Sequence, residues 1–153
     1  LEASPGAVNV IPGVACLSLD VRSPRDAVRA AAIAALRQAF ATIAARRGCR
    51  LGWETLHDAP AVLCHPTVVA ALEATLTRLG QTVRHLPSGA GHDAMAMAAL
   101  CPSGMLFLRC RGGISHHPAE SISAADAGLG VRALIEAMHQ LDRILWSDHV
   151  RSD

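Results

Sequence analysis

Residues 87–120 decide how this chain is read: Pro87-Ser88-Gly89-Ala90-Gly91-His92-Asp93-Ala94, a Met/Ala-rich run, Gly104-Met105-Leu106-Phe107-Leu108-Arg109, then Gly112-Gly113-Ile114-Ser115-His116-His117-Pro118-Ala119-Glu120. A short apolar run at 105–108 with glycine on both sides predicts a buried strand of an α/β sheet. The residues after it are polar, and ligands of open α/β sheets sit beyond the carboxyl ends of strands, so His116 is expected on a loop at that edge. Upstream, the Gly-Ala-Gly turn runs into a helical pattern over 92–100, where glycines would free the first helix N–H groups to receive an anion.

Outward from this stretch, composition sets the bounds. In 153 residues, 51% are apolar but only 3% are aromatic and tyrosine is absent, so Leu, Ala and Val must do the packing. All fourteen cationic residues are arginine; the net charge is +1, and the arginines are scattered. That pattern leaves no electrostatic footprint for nucleic acid or a membrane surface. No apolar run approaches the ~18 residues of a membrane span, and no signal-peptide pattern opens the chain. Cys16, Cys49, Cys64, Cys101 and Cys110 are odd in number and lack Cys-x-x-Cys spacing, which argues against a disulfide scaffold or zinc ribbon; four of them sit in or beside apolar runs and read as small buried hydrophobes in a reducing cytosol.

The N-terminal region predicts strand, strand, helix, strand. Residues 8–11 and 14–21 read as strands joined by a Pro12-Gly13 turn. A helix comes next, with Ser23 as N-cap, Pro24 at the first position and Asp26 near the positive dipole end. Its apolar stripe is Val28, Ala32, Ile33, Leu36, Phe40 and Ile43, with Arg25, Arg29 and Arg37 mostly off it, and Arg46, Arg47 and Gly48 close it. Residues 49–56 read as a further strand. This order is that of a ferredoxin-like α/β sandwich without its first strand and helix. Residues 57–60 mark a domain crossing. Beyond them come a helix over 66–79 ended by Gly80, a strand over 82–86, and a last helix over 123–146 with a capping-box-like start at Ser123 and Asp126.

Gly89-Ala90-Gly91-His92-Asp93-Ala94 followed by Gly113-Ile114-Ser115-His116-x-Pro118-x-Glu120 resembles the C-terminal part of the two-metal amidohydrolases that hydrolyse N-carbamoyl amino acids, allantoate and N-carbamoyl-β-alanine, within the aminoacylase/carboxypeptidase-like metallopeptidase clan. The resemblance implies residues 1–59 as the second part of a lid or dimerisation domain and residues 60–153 as the C-terminal part of a catalytic α/β sheet domain. It implies His116 as a ligand of a site holding two divalent ions, zinc, manganese, cobalt or nickel. By the same resemblance Asn9, in Val-Asn-Val-Ile-Pro-Gly, and Arg22, in Leu-Asp-Val-Arg-Ser, grip a substrate carboxylate, and Gly89, Ala90, Gly91 and His92 meet the substrate. A guanidinium suits a carboxylate because its planar fork pairs bidentately.

Other residues near the motifs have plainer expectations. His117 is expected to face solvent, and Asp93 to act as a helix-start carboxylate rather than a ligand. Glu120 is either a partner of the metal ligand or a solvated carboxylate. The remaining ligands and the general base are expected upstream of Leu1, so the chain reads as a fragment that is inactive alone. The implied protein is a cytoplasmic homodimer, associating through the lid, that cleaves carbamoyl or ureido C–N bonds of small carboxylate-bearing substrates, with no nucleic-acid or membrane partner. A peptidase or acyl-amino-acid hydrolase of the same clan, or a non-catalytic binding or dimerisation module, remains as an alternative.

Overall fold

The computed structural model describes residues 1–150, with side chains through residue 144. The chain divides into two compact units, Leu1–Ala61 and Val62–Asp153.

In the first unit, β1 (Glu2–Ser4) pairs antiparallel with β2 (Val14–Cys16), Ala3 opposite Ala15. The expected partner strand over 8–11 is therefore corrected. Those residues belong to the connection, which is folded by turns: Val10 N donates to Ala7 O, and Gly13 N donates to Ser4 O at 2.9 Å. Pro12 has no N–H to give a ladder, which favours its place in the connection.

Helix α1 (Asp26–Arg46) begins two residues later than the Ser-Pro signature suggests. Ser23 Oγ accepts from Arg25 N at 3.2 Å, and Arg25 rather than Ser23 is the capping residue. At its other end Gly48 adopts φ 64°, and Cys49 N and Gly48 N return to Ala44 O and Ala45 O, satisfying two terminal carbonyls. No residue of α1 is buried. Its half-covered line is Arg29, Ala32, Ile33, Leu36, Phe40 and Ala44, whereas Val28 and Ile43 of the expected stripe are exposed. Phe40 meets Trp53 with ring centroids 6.0 Å apart, and Arg37 stacks over Trp53 at 4.9 Å.

Arg29, expected off the covered face, lies on it. It pairs with Asp58 and, at 3.4 Å, with Asp26, whose carboxylate also accepts from Ala61 N. The hydrogen bond to Asp58 is the main reason the Arg29 guanidinium is held above its ordinary pKa. By length and composition alone α1, at 21 residues and mean hydropathy 1.3, could cross a bilayer, which corrects the expectation of no such stretch. Its alanines account for this value.

The second unit is built on α2 (Pro66–Arg78) against α4 (Ala124–Val150), with the single turn α3 (Asp93–Met97) between them in sequence. His65 Nδ1 caps α2 by accepting from Thr67 N, Pro66 fills the first position, and Gly80 at φ 68° ends the helix. Among the described residues, the buried ones are Ala71, Leu72 and Thr75 on α2 and Gly130, Ala133 and Ala137 on α4. Small residues at i, i+3 and i+7 of α4 let the helices approach closely. Thr75 Oγ1 is satisfied by Arg78. Arg78 also reaches Glu136 and Gln140 on α4. Ser123 Oγ accepts from Asp126 N at 3.0 Å, the start expected for α4.

The strands expected over 49–56, 82–86 and 105–108 do not form, and neither the α/β sheet nor the ferredoxin-like sandwich is present among the described residues. A strand exists only when a neighbour takes its N–H and C=O groups, and the one ladder among the described residues is β1 with β2. Residues 103–111 instead run across α2 and α4. A Cβ on Gly104 would stand 2.6 Å from Val68 Cγ1, and one on Gly130 2.5 Å from Leu108 Cδ2. His65 N donates to Ser103 O and Arg111 N donates to Ser121 O, fixing both ends of the segment. Cys16, Cys49, Cys64 and Cys101 are exposed and Cys110 is half-buried, contrary to the buried cysteines expected.

Candidate functional site

The 103–111 segment leads into the loop that presents His116. Gly112 and Gly113 turn the chain at φ 65° and 69°, a left-handed region open to glycine at no steric cost. His116 takes the same region at φ 57° although it carries a side chain. A non-glycine residue there costs about 1–3 kcal/mol and persists only where its surroundings enforce it. The enforcing group is Glu120: its Oε2 accepts from His116 N at 3.0 Å, while its Oε1 accepts from the Cys110 thiol at 3.7 Å. Glu120 N in turn donates to His117 O, closing the loop on itself.

The imidazole of His116 is held separately. Its Nδ1 lies 2.7 Å from Ser115 Oγ, and no described residue is hydrogen-bonded to Nε2. His117 turns back into the loop, its Nδ1 accepting from Ala119 N at 3.1 Å. Each of the two adjacent histidines thus engages its Nδ1 within the loop, His116 with a hydroxyl and His117 with a backbone amide. Glu120, for which the residues left two roles open, binds the backbone of His116 and not its ring.

The Gly89-Ala90-Gly91-His92 turn folds over Ser88. Ser88 Oγ accepts from Ala90 N at 3.1 Å and sits 2.7 Å from His92 Nε2. Phe107 meets the His92 ring edge-on, centroids 6.0 Å apart, so the 103–111 segment helps fix this histidine. His92 caps α3 from an extended conformation without a side-chain bond to it, and Asp93 is its first residue. A single turn of helix has a small dipole, so whatever these residues bind would meet individual N–H groups rather than a helix end.

In the first unit, Asn9 is exposed in the 5–13 connection. Arg22 is also exposed and its fork is already engaged. Arg22 Nε donates to both Asp20 oxygens at 2.8 and 3.0 Å and Nη2 donates to Oδ2 at 2.5 Å. This hydrogen bonding holds the Asp20 carboxyl below its ordinary pKa and the Arg22 guanidinium above its own. The pairing displays the bidentate geometry that a ligand carboxylate would use.

Among the described residues no group of three His, Cys, Asp or Glu side chains gathers around one point. His116, with Nδ1 engaged by Ser115 and no described partner at Nε2, could fill one coordination position, but these residues do not close a metal centre by themselves. Sequence reasoning missed Ser88, Ser115 and Phe107. Ser88 is four residues before His92 and Ser115 is adjacent to His116, but a serine beside a histidine in a loop is too common to signal a contact.

Residues 3–140, which include every residue of these loops and of the Asn9 and Arg22 region, match peptidase family M20/M25/M40. The chain belongs to this family. It is 38% identical over 141 residues to an N-carbamoyl-L-amino acid amidohydrolase of Geobacillus stearothermophilus, covering 92% of this chain and 34% of that protein. It is 41% identical over 140 residues to an allantoate deiminase of Arabidopsis thaliana, covering 86% of this chain and 27% of that one. Among solved structures, an amidase of the hydantoinase/carbamoylase family from Burkholderia multivorans shares the fold with a TM-score of 0.79 and 34% identity over 90% of this chain and 33% of its own. The M20/M25/M40 chain thus spans about a third of the length of the relatives it matches.

Proposed function

We propose that these residues are part of a metal-dependent amidohydrolase that cleaves the carbamoyl or ureido C–N bond of N-carbamoyl amino acids or of allantoate. The observation that carries this is the similarity to the Geobacillus N-carbamoyl-L-amino acid amidohydrolase and the Arabidopsis allantoate deiminase, each matched over most of this chain. In this reading the first unit is the second part of a lid through which the protein dimerises, and the second unit is the C-terminal part of the catalytic domain. The general base and the other metal ligands come from sequence outside residues 1–153.

Two divalent ions, when bound, would polarise the carbamoyl group and activate water. His116 would hold one of them through Nε2. Arg22 binds the substrate carboxylate with its fork, displacing or sharing Asp20, and the Asn9 amide donates to the same group. Gly89, Ala90 and Gly91 offer backbone N–H groups to the polar head of the substrate. His92, held at Nε2 by Ser88, would meet the same polar head through Nδ1.

The test compares residues 1–153 alone with a longer protein that carries them, assayed with manganese or zinc for ammonia release from N-carbamoyl amino acids and from allantoate. Residues 1–153 should give no turnover, and the longer protein should turn over one of these substrates, lose activity to a chelator and regain it with metal. Activity of the longer protein on peptides or acyl amino acids instead, or turnover by residues 1–153 within about tenfold of the longer protein, a margin of ~1.4 kcal/mol in the barrier, would overturn it.

A further inference from the structure

We propose that Ser115 and Glu120 are positioning residues that make His116 a ligand, Ser115 by selecting the ring tautomer and Glu120 by holding the backbone in its left-handed turn. This rests on the reading of His116 as a metal ligand.

The tautomer is set by donor and acceptor chemistry. A neutral imidazole has one protonated nitrogen and one lone pair, and a metal binds the lone pair. Ser115 Oγ stands 2.7 Å from Nδ1, a contact that can run either way. If the hydroxyl donated, the ring proton would sit on Nε2 and block the one nitrogen with no partner among the described residues. Only the arrangement in which Nδ1–H donates to Ser115 Oγ leaves Nε2 able to coordinate. Ligand histidines commonly fix their tautomer by donating the far N–H to a neighbouring acceptor, and here that acceptor is the preceding residue.

Glu120 does a different job. By accepting from His116 N while also accepting from the Cys110 thiol, it ties the left-handed residue to the end of the 103–111 segment. Without the carboxylate, the φ 57° conformation has no bond at its own amide to favour it, and the ring direction is no longer set.

The experiment uses the longer protein carrying these residues, in metal-free and metal-loaded forms, with His116→Ala, Ser115→Ala, Ser115→Thr, Glu120→Ala and Glu120→Gln. The readouts are zinc affinity by chelator competition, ring-nitrogen chemical shifts of 15N-labelled histidine, and amide hydrogen exchange at residue 116. Ser115→Ala is expected to weaken zinc binding by about 10–100-fold and to move the metal-free ring away from the Nδ1–H tautomer, with Ser115→Thr restoring both. Glu120→Ala is expected to weaken zinc to a similar extent and to speed exchange of the His116 amide, while Glu120→Gln recovers part of the loss. Unchanged exchange and unchanged tautomer, with His116→Ala still losing zinc, would overturn the positioning roles and leave the ligand reading standing. Full zinc binding in His116→Ala would overturn the ligand reading and the proposal with it.

Discussion

Gly104→Ala tests whether the segment carrying the site is seated on α2 as tightly as the structure places it. The new Cβ would stand 2.6 Å from Val68 Cγ1 and 3.3 Å from Val68 Cβ, so it must retreat by roughly 0.8 Å to reach ordinary contact, the distance at which overpacking ends. Val68 cannot give way easily, because a β-branched side chain in a helix has one favoured rotamer. The backbone is no freer, with His65 N donating to Ser103 O at 2.7 Å one residue away. Overpacking of this kind costs about 1–3 kcal/mol, and the reduced entropy of the unfolded chain returns about 0.4–1 kcal/mol, so the net loss should be ~1–2 kcal/mol.

Gly130→Ala supplies the contrast. Its Cβ would stand 2.5 Å from Leu108 Cδ2, nominally closer, but Leu108 is 39% exposed and its end can swing outward. A rotamer cost of about 0.5–1.5 kcal/mol is then offset by ~1 kcal/mol of helix propensity, leaving stability nearly unchanged. Urea unfolding of each variant, and of Gly104→Ala combined with Val68→Ala, measures both. The pair should couple favourably, since removing the Val68 methyls makes room for the new Cβ. Equal losses in the two glycine variants, or additive losses in the double variant, would refute this seating of the segment.

Replacing Arg22 with Lys should raise KM for carboxylate-bearing substrates by about tenfold or more in the longer protein, because lysine keeps the charge and loses the fork; unchanged kinetics would remove Arg22 from the clamp. Asp20 should titrate below an ordinary aspartate. Its pairing therefore stabilises the fold at pH above the ordinary carboxyl value and is lost as pH falls through the lowered one. A 13C titration of Asp20 in Arg22→Ala should show the midpoint move back up, and no movement would contradict the stated cause. His116→Ala should lower metal content far more than His117→Ala, whose ring is engaged by Ala119 N; equal losses would count against His116 as the ligand.

The helices were legible in the sequence because their signals are local. Pro66 at the first position, Gly48 and Gly80 at the ends, and Ser123 with Asp126 each act within a turn of the residue that bears them, and each lies at a helix end in the structure. The paired motifs around His92 and His116 placed the chain in its family for a similar reason: a run of residue types is itself the signal. Of the expected strands, 14–21 contains β2, over Val14–Cys16, and the others were not legible. An apolar run such as 105–108 is equally compatible with a ladder and with a segment laid across two helices, and only the tertiary structure says whether a neighbour takes its backbone groups. The same holds for Arg29, whose half-buried place depends on Asp58, 29 residues away. The clamp on His116 lay between these cases. Its residues stood in the motif, but that Glu120 would take the backbone amide, and Ser115 the ring, depends on a left-handed turn at a residue with a side chain. Residue type only weakly favours such a turn, so the surrounding hydrogen bonds decide it.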